Sequence, residues 1–146
     1  MILADEAATR AVGAALAPSL RAGDVILLDG SLGAGKTTLV RGLLEALGHH
    51  GEVPSPSFAI VQPYDELALP LWHVDLYRIA HPSELDELGL DGVLGDGVLV
   101  VEWPDHAGEG AWPITALALS LAPDEDGARV LTATPGQGWE GRWPPQ

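Results

Sequence analysis

The chain predicts an α/β domain with a mainly parallel sheet and added antiparallel strands. Three observations carry that prediction. A glycine-rich loop joins a short apolar run, Val25–Asp29, to an amphipathic segment, Thr38–Leu47. Two later apolar runs, Leu71–Asp75 and Val98–Glu102, each close on a carboxylate. Two alternating stretches, Thr115–Leu121 and Ala128–Thr134, face each other across Pro123–Gly127 as an antiparallel hairpin would.

Taken in order, Asp5–Ala17 reads as a helix with Asp5 as its N-cap and Pro18 near its end. Residues 21–24 form a turn into the first buried strand. Val25–Leu28 is a continuous aliphatic run, the pattern of a parallel strand covered on both faces. Beyond the loop, apolar residues at 39, 40, 43, 44 and 47 make one helical stripe, and Gly48 supplies the stop. His49–Pro56 is irregular. Phe58–Gln62 and Leu71–Asp75 read as strands around a turn at Pro63–Leu67. Ser83 is positioned to cap a short acidic helix through Leu88, and a glycine-rich stretch follows over 89–97. Val98–Glu102 is the strongest strand signal in the chain. Residues 1–134 are expected to form one domain, and the Pro/Gly-rich residues 135–146 a loose tail.

Composition narrows the class. A chain of 146 residues suffices for one domain with a substantial core. No apolar run reaches membrane-spanning length, and the N-terminus lacks the basic start and apolar stretch of a signal peptide, so a cytoplasmic location is expected. The absence of cysteine excludes disulfides and thiolate metal sites. A net charge of −14 repels polyphosphate backbones, which argues against direct nucleic-acid binding.

The loop itself carries chemistry. Gly30-Ser31-Leu32-Gly33-Ala34-Gly35-Lys36-Thr37 matches G-x-x-x-x-G-K-[ST], the phosphate-cradling pattern, and Lys36 is the sole lysine of the chain. Between a strand and a helix N-terminus, the backbone amides of Leu32, Gly33, Ala34, Gly35 and Lys36 can converge on an anion that the helix end also favours. Lys36 is then expected on the β- and γ-phosphates, the Thr37 hydroxyl on Mg²⁺, and Thr38 near the α-phosphate. Such a site also needs an acid at the end of a neighbouring strand. Asp75 and Glu102 are the two candidates. One would serve the metal and the other water or a moving segment, and spacing does not separate the roles. His73, two residues before Asp75, either orients that carboxylate or fills space. The remaining basic residues are six arginines, at 10, 21, 41, 78, 129 and 142, and none sits in an arginine-rich lid. Arg78 is the internal candidate for charge stabilisation, or a partner for the acids of 84–91. His81 and His106 read as surface residues, and Phe58 as a core anchor.

Four ordered blocks resemble the TsaE (YjeE) family: Leu28–Thr38, Ser55-Pro56-Ser57-Phe58, His73-Val74-Asp75-Leu76-Tyr77-Arg78, and Val101-Glu102-Trp103-Pro104. The chain departs from that pattern at Ser31, where the family has an acidic or amide residue, and at Ser57, where it has Thr. The resemblance implies a three-layer α/β/α sandwich of P-loop type and a weak ATPase that uses ATP and Mg²⁺. It implies Asp75 near the metal and attacking water, Glu102 as a metal ligand, and Trp103 beside the nucleotide. It also implies partners of the TsaB and TsaD type in making threonylcarbamoyladenosine in tRNA, with tRNA contacted only through the complex. The competing reading is a free-standing small-molecule kinase, for which no second acceptor constellation is visible. No N-K-x-D guanine-reading motif is evident, and ATP over GTP rests on the resemblance.

Overall fold

The computed structural model describes residues 1–144 apart from 32, 54–60, 80, 82, 85–88, 109 and 125–126. Among them, seven strands form one mixed sheet: β1 (Ile2–Leu3), β2 (Val25–Gly30), β3 (Val61–Tyr64), β4 (Leu71–Asp75), β5 (Val98–Glu102), β6 (Leu117–Pro123) and β7 (Arg129–Pro135). Their order is β1-β7-β6-β2-β5-β4-β3. The central four, β6, β2, β5 and β4, run parallel, and β3, β7 and β1 add antiparallel edges. β5 is buried along its whole length, as its unbroken aliphatic run requires of a central parallel strand.

Alternation along the strands separates two cores. Ile26 and Leu28 of β2, Val98 and Val100 of β5, and Leu117 and Leu119 of β6 face helices α1 (Glu6–Leu16) and α2 (Lys36–Ala46). Val25, Leu99, Val101 and Val74 point the other way, against Leu90 and Ala107 from 3-10 turns at Leu90–Gly95 and Pro104–Ala107. The helical layers implied by the resemblance are thus α1 and α2 on one face, while described 3-10 turns pack on the other.

The Asp5 side chain caps α1 by accepting from the Ala8 N–H at 2.8 Å. The two helices cross with backbones nearly touching. A Cβ on Gly13 would lie 2.0 Å from the Leu39 carbonyl oxygen, and one on Gly42 would lie 2.0 Å from that of Arg10. Glycine costs about 1 kcal/mol inside a helix, so these two interior glycines mark a close crossing that fixes α2 against the first helix.

Two expectations need correction, and one strand is additional. Of the strand expected at 58–62, residues 58–60 fall outside those described and 61–62 lie in β3, which continues through Pro63, where a turn was expected; an edge strand tolerates that proline because one side of its ladder is unpaired. β1 was not foreseen, since two residues carry no periodicity. The expected loose tail is anchored among its described residues: Trp139 is 1% exposed within the helix-side core. Arg142 lies over its ring, donates to Ser19 O at 2.6 Å and pairs with Asp24. The burial of one large indole outweighs the turn-forming composition around it. Phe58 and the acidic helix expected through Leu88 fall on residues outside those described. No helix among the described residues is long and apolar enough to cross a membrane.

Candidate active site

β2 ends in the phosphate loop, and α2 begins at Lys36. Gly35 caps α2 with φ 103 and ψ 14, a left-handed conformation that a Cβ disfavours. This turn lets the chain leave the sheet edge and enter the helix with its first amides free of intrahelical partners. A cavity of about 340 Å³ opens there. Gly33, Ala34, Gly35, Lys36, Thr37, Thr38, Asp75, Glu102 and Trp103 all line it. These are the residues singled out from sequence, except Leu32, which lies outside the described residues. So does the block Ser55–Phe58. Asp5, Glu6, Thr9, Gly127 and Arg129 complete the wall.

The two carboxylates meet by register. Asp75 of β4 stands opposite Glu102 of β5, and Leu28 of β2 stands opposite Glu102 on its other side. All parallel strands thus end at one edge, beside the loop. Thr37 Oγ1 lies 3.5 Å from Glu102 Oε2. Asp75 Oδ1 accepts from the Tyr77 N–H at 2.8 Å, which ties this acid to the turn that follows β4.

Lys36 Nζ donates to Gly30 O at 2.8 Å and lies 3.7 Å from the centre of the Trp103 ring. Burial pulls its ammonium below the ordinary lysine range, while Glu102, Asp75 and Asp29 push back toward the charged form. Trp103 itself has φ 58, a left-handed backbone that costs a non-glycine residue about 1–2 kcal/mol. The strain turns the chain at the end of β5 and lays the indole over the ammonium. The Tyr77 and His106 rings lie tilted against that indole, and His106 Nδ1 bonds to Leu76 O, so His106 is half-buried behind Trp103 and not the plain surface residue expected.

His73 is fully buried, and its Nε2 donates to Glu102 Oε2 at 2.5 Å. The sequence left His73 between orienting Asp75 on their shared strand face and filling space; the structure pairs it with Glu102, the acid of the neighbouring strand. Its Nδ1 has no hydrogen-bond partner among the described residues. Arg78 is exposed and does not line the cavity. Arg129, which sequence reasoning passed over, does: its side chain bonds to Ala34 O at 3.1 Å and Gly33 O at 3.2 Å.

The donor set suits magnesium and phosphate. Magnesium takes oxygen ligands and is typically held by one or two carboxylates together with substrate phosphates and water. Thr37, Glu102 and Asp75 offer that number and type. No cluster of three or more His, Cys, Asp or Glu able to hold a metal by itself occurs among the described residues. Lys36 and the amides at the start of α2 supply the complementary positive field for an anion.

Comparison with known proteins agrees with this architecture. The family model described as "Threonylcarbamoyl adenosine biosynthesis protein TsaE" matches residues 3–131. A Streptomyces coelicolor protein named tRNA threonylcarbamoyladenosine biosynthesis protein TsaE is 52% identical over 97 residues, covering 64% of this chain and 66% of the relative. Its Bacillus subtilis namesake is 41% identical over 127 residues, covering 86% and 78%. The crystal structure of Bacillus subtilis YdiB superposes with a TM-score of 0.81 at 33% identity, over 97% of this chain and 88% of that one. With a family match that spans most of its length and a site built on the loop and strand ends that the family blocks contain, this chain belongs to the TsaE family.

Proposed function

We propose that this protein is a P-loop ATPase that binds and hydrolyses Mg-ATP in support of the tRNA threonylcarbamoyladenosine modification. The role in that biosynthesis follows from family membership. The observation that carries the nucleotide reading is the concentration of buried polar groups. Lys36, Asp75 and Glu102 are each no more than 5% exposed and share one cavity wall with the α2 N-terminus. Buried charges are costly unless they are paired or used, and here they gather where a triphosphate and its cation would be neutralised.

In this reading, the loop amides and the Lys36 ammonium grip the β- and γ-phosphates, and Thr38 reaches the α-phosphate. The Thr37 hydroxyl and Glu102 hold the cation, with Asp75 near the cation and the attacking water. Magnesium, when bound, neutralises charge that develops on the transferring phosphoryl oxygens. His73 fixes the Glu102 carboxylate by its hydrogen bond, as buried partners of metal-bound carboxylates do. Trp103 covers the ammonium and limits access of water to it. A surface of charge −14 is unsuited to holding tRNA alone. We therefore assign tRNA contact to partner subunits of the TsaB and TsaD type, in the cytoplasm.

The test is release of inorganic phosphate from ATP, measured with and without those two subunits. Weak turnover alone that rises with the partners is the expected result. Accumulation of a stable phosphorylated small molecule in place of free phosphate would contradict the reading and favour a kinase.

A further inference from the structure

Arg129 is the first residue of β7 and is pinned between two ladders, opposite Pro123 of β6 and Leu3 of β1. Its guanidinium engages four carbonyl oxygens. Two belong to the phosphate loop, Ala34 O at 3.1 Å from Nε and Gly33 O at 3.2 Å from Nη2. Two belong to the hairpin turn, Ala128 O at 3.1 Å and Gly127 O at 3.2 Å from Nη1. It forms no ion pair with a carboxylate among the described residues. A permanent cation thus stands in the cavity wall, spent wholly on backbone carbonyls.

The consequence follows from peptide geometry. In a planar trans peptide the C=O and the following N–H point in opposite directions. The Gly33–Ala34 plane is held at both ends, by Arg129 on its carbonyl and by the Ala34 N–H on Ser31 O at 3.1 Å. The Ala34–Gly35 plane is held by Arg129 at its carbonyl, which turns the Gly35 N–H away from the arginine. We propose that Arg129 is a positioning residue for the phosphate cradle: its fork sets two loop peptides from outside, and so aims the Gly35 N–H at the β-phosphate. The inference rests on the nucleotide reading above. A lysine would keep the charge but, as a point donor on a flexible stem, could not bridge the two loop carbonyls in one fixed geometry.

The test compares wild type, Arg129→Ala and Arg129→Lys by calorimetric titration with Mg-ADP and with AMP, which lacks a β-phosphate. Arg129→Ala is expected to weaken ADP binding about tenfold or more, the scale of losing charge-assisted hydrogen bonds, with AMP affinity changed less than about twofold. Arg129→Lys is expected to recover only a minor part of the loss, and it serves as the readout if the alanine variant does not fold. Amide hydrogen exchange at Gly35 and Lys36, without nucleotide, should be faster in both variants. ADP affinity unchanged in Arg129→Ala would overturn the proposal. So would Arg129→Lys that binds as wild type does, or a parallel loss of ADP and AMP affinity. A wild-type chain that binds neither nucleotide would overturn the nucleotide reading and this inference together, whereas normal wild-type binding with indifferent variants overturns this inference alone.

Discussion

The two ends of the parallel sheet are built on opposite principles. At the end where β4 and β5 finish, Lys36, His73, Asp75 and Glu102 are buried together, and Trp103 holds a strained backbone. At the other end, where the chain enters β2, the C-terminal segment closes the molecule. Trp139 is sunk in the helix-side core, and Arg142 straps it to Ser19 and Asp24. The first end holds groups that would be more stable in water. The second collects apolar area and satisfies its one buried-edge cation with a carbonyl and a carboxylate. Stability is therefore concentrated away from the site, and the site holds its desolvated charges on a scaffold fixed elsewhere.

Substitutions at the two ends should separate cleanly. Trp139→Ala is expected to cost about 3–5 kcal/mol of folding stability by leaving a large cavity, read by urea denaturation, while ADP affinity at low temperature stays near wild type. Glu102→Gln keeps the side-chain volume and an acceptor for His73. It should lower ATP turnover roughly 100-fold without lowering Tm, and a turnover unchanged by this substitution would remove Glu102 from the chemistry. Gly42→Ala tests the link between the ends, since a methyl there meets the Arg10 carbonyl. It should cost about 1–3 kcal/mol and also weaken ADP binding as α2 shifts; a loss of stability with normal binding would show that the crossing does not govern the loop. Arg142→Ala should cost about 1–2 kcal/mol through its charge-assisted bonds and leave turnover unchanged in a phosphate-release assay.

The phosphate loop was legible because its chemistry is local: one glycine pattern between one strand and one helix fixes Lys36 and Thr37. Asp75 and Glu102 were legible as strand-end acids, because parallel strands bring such ends to one edge. The partner of His73 was not. It depends on β4 lying beside β5 in the register that sets Asp75 against Glu102, and only sheet order supplies that. Arg129 was hidden for the same reason, reaching the loop across 95 residues of sequence. The loose-tail expectation failed at Trp139, because the surrounding prolines and glycines describe the turns and not what the indole fills. Gly13 and Gly42 carried a usable signal, since glycine inside a helix asks for a close neighbour. Arg78 stood open between charge stabilisation and pairing with the acids of 84–91, and its exposed position keeps it off the cavity wall.

The central claim is that the loop and Lys36 grip a triphosphate tail while Thr37, Asp75 and Glu102 serve its cation. Calorimetric titration of wild type and Lys36→Ala with ATP, in magnesium and in excess chelator, tests it most directly. The account predicts saturable wild-type binding that weakens without magnesium, and a loss of about 100-fold or more in Lys36→Ala at unchanged Tm. Equal ATP affinity in the two proteins, or no binding by wild type in ample magnesium, would contradict it.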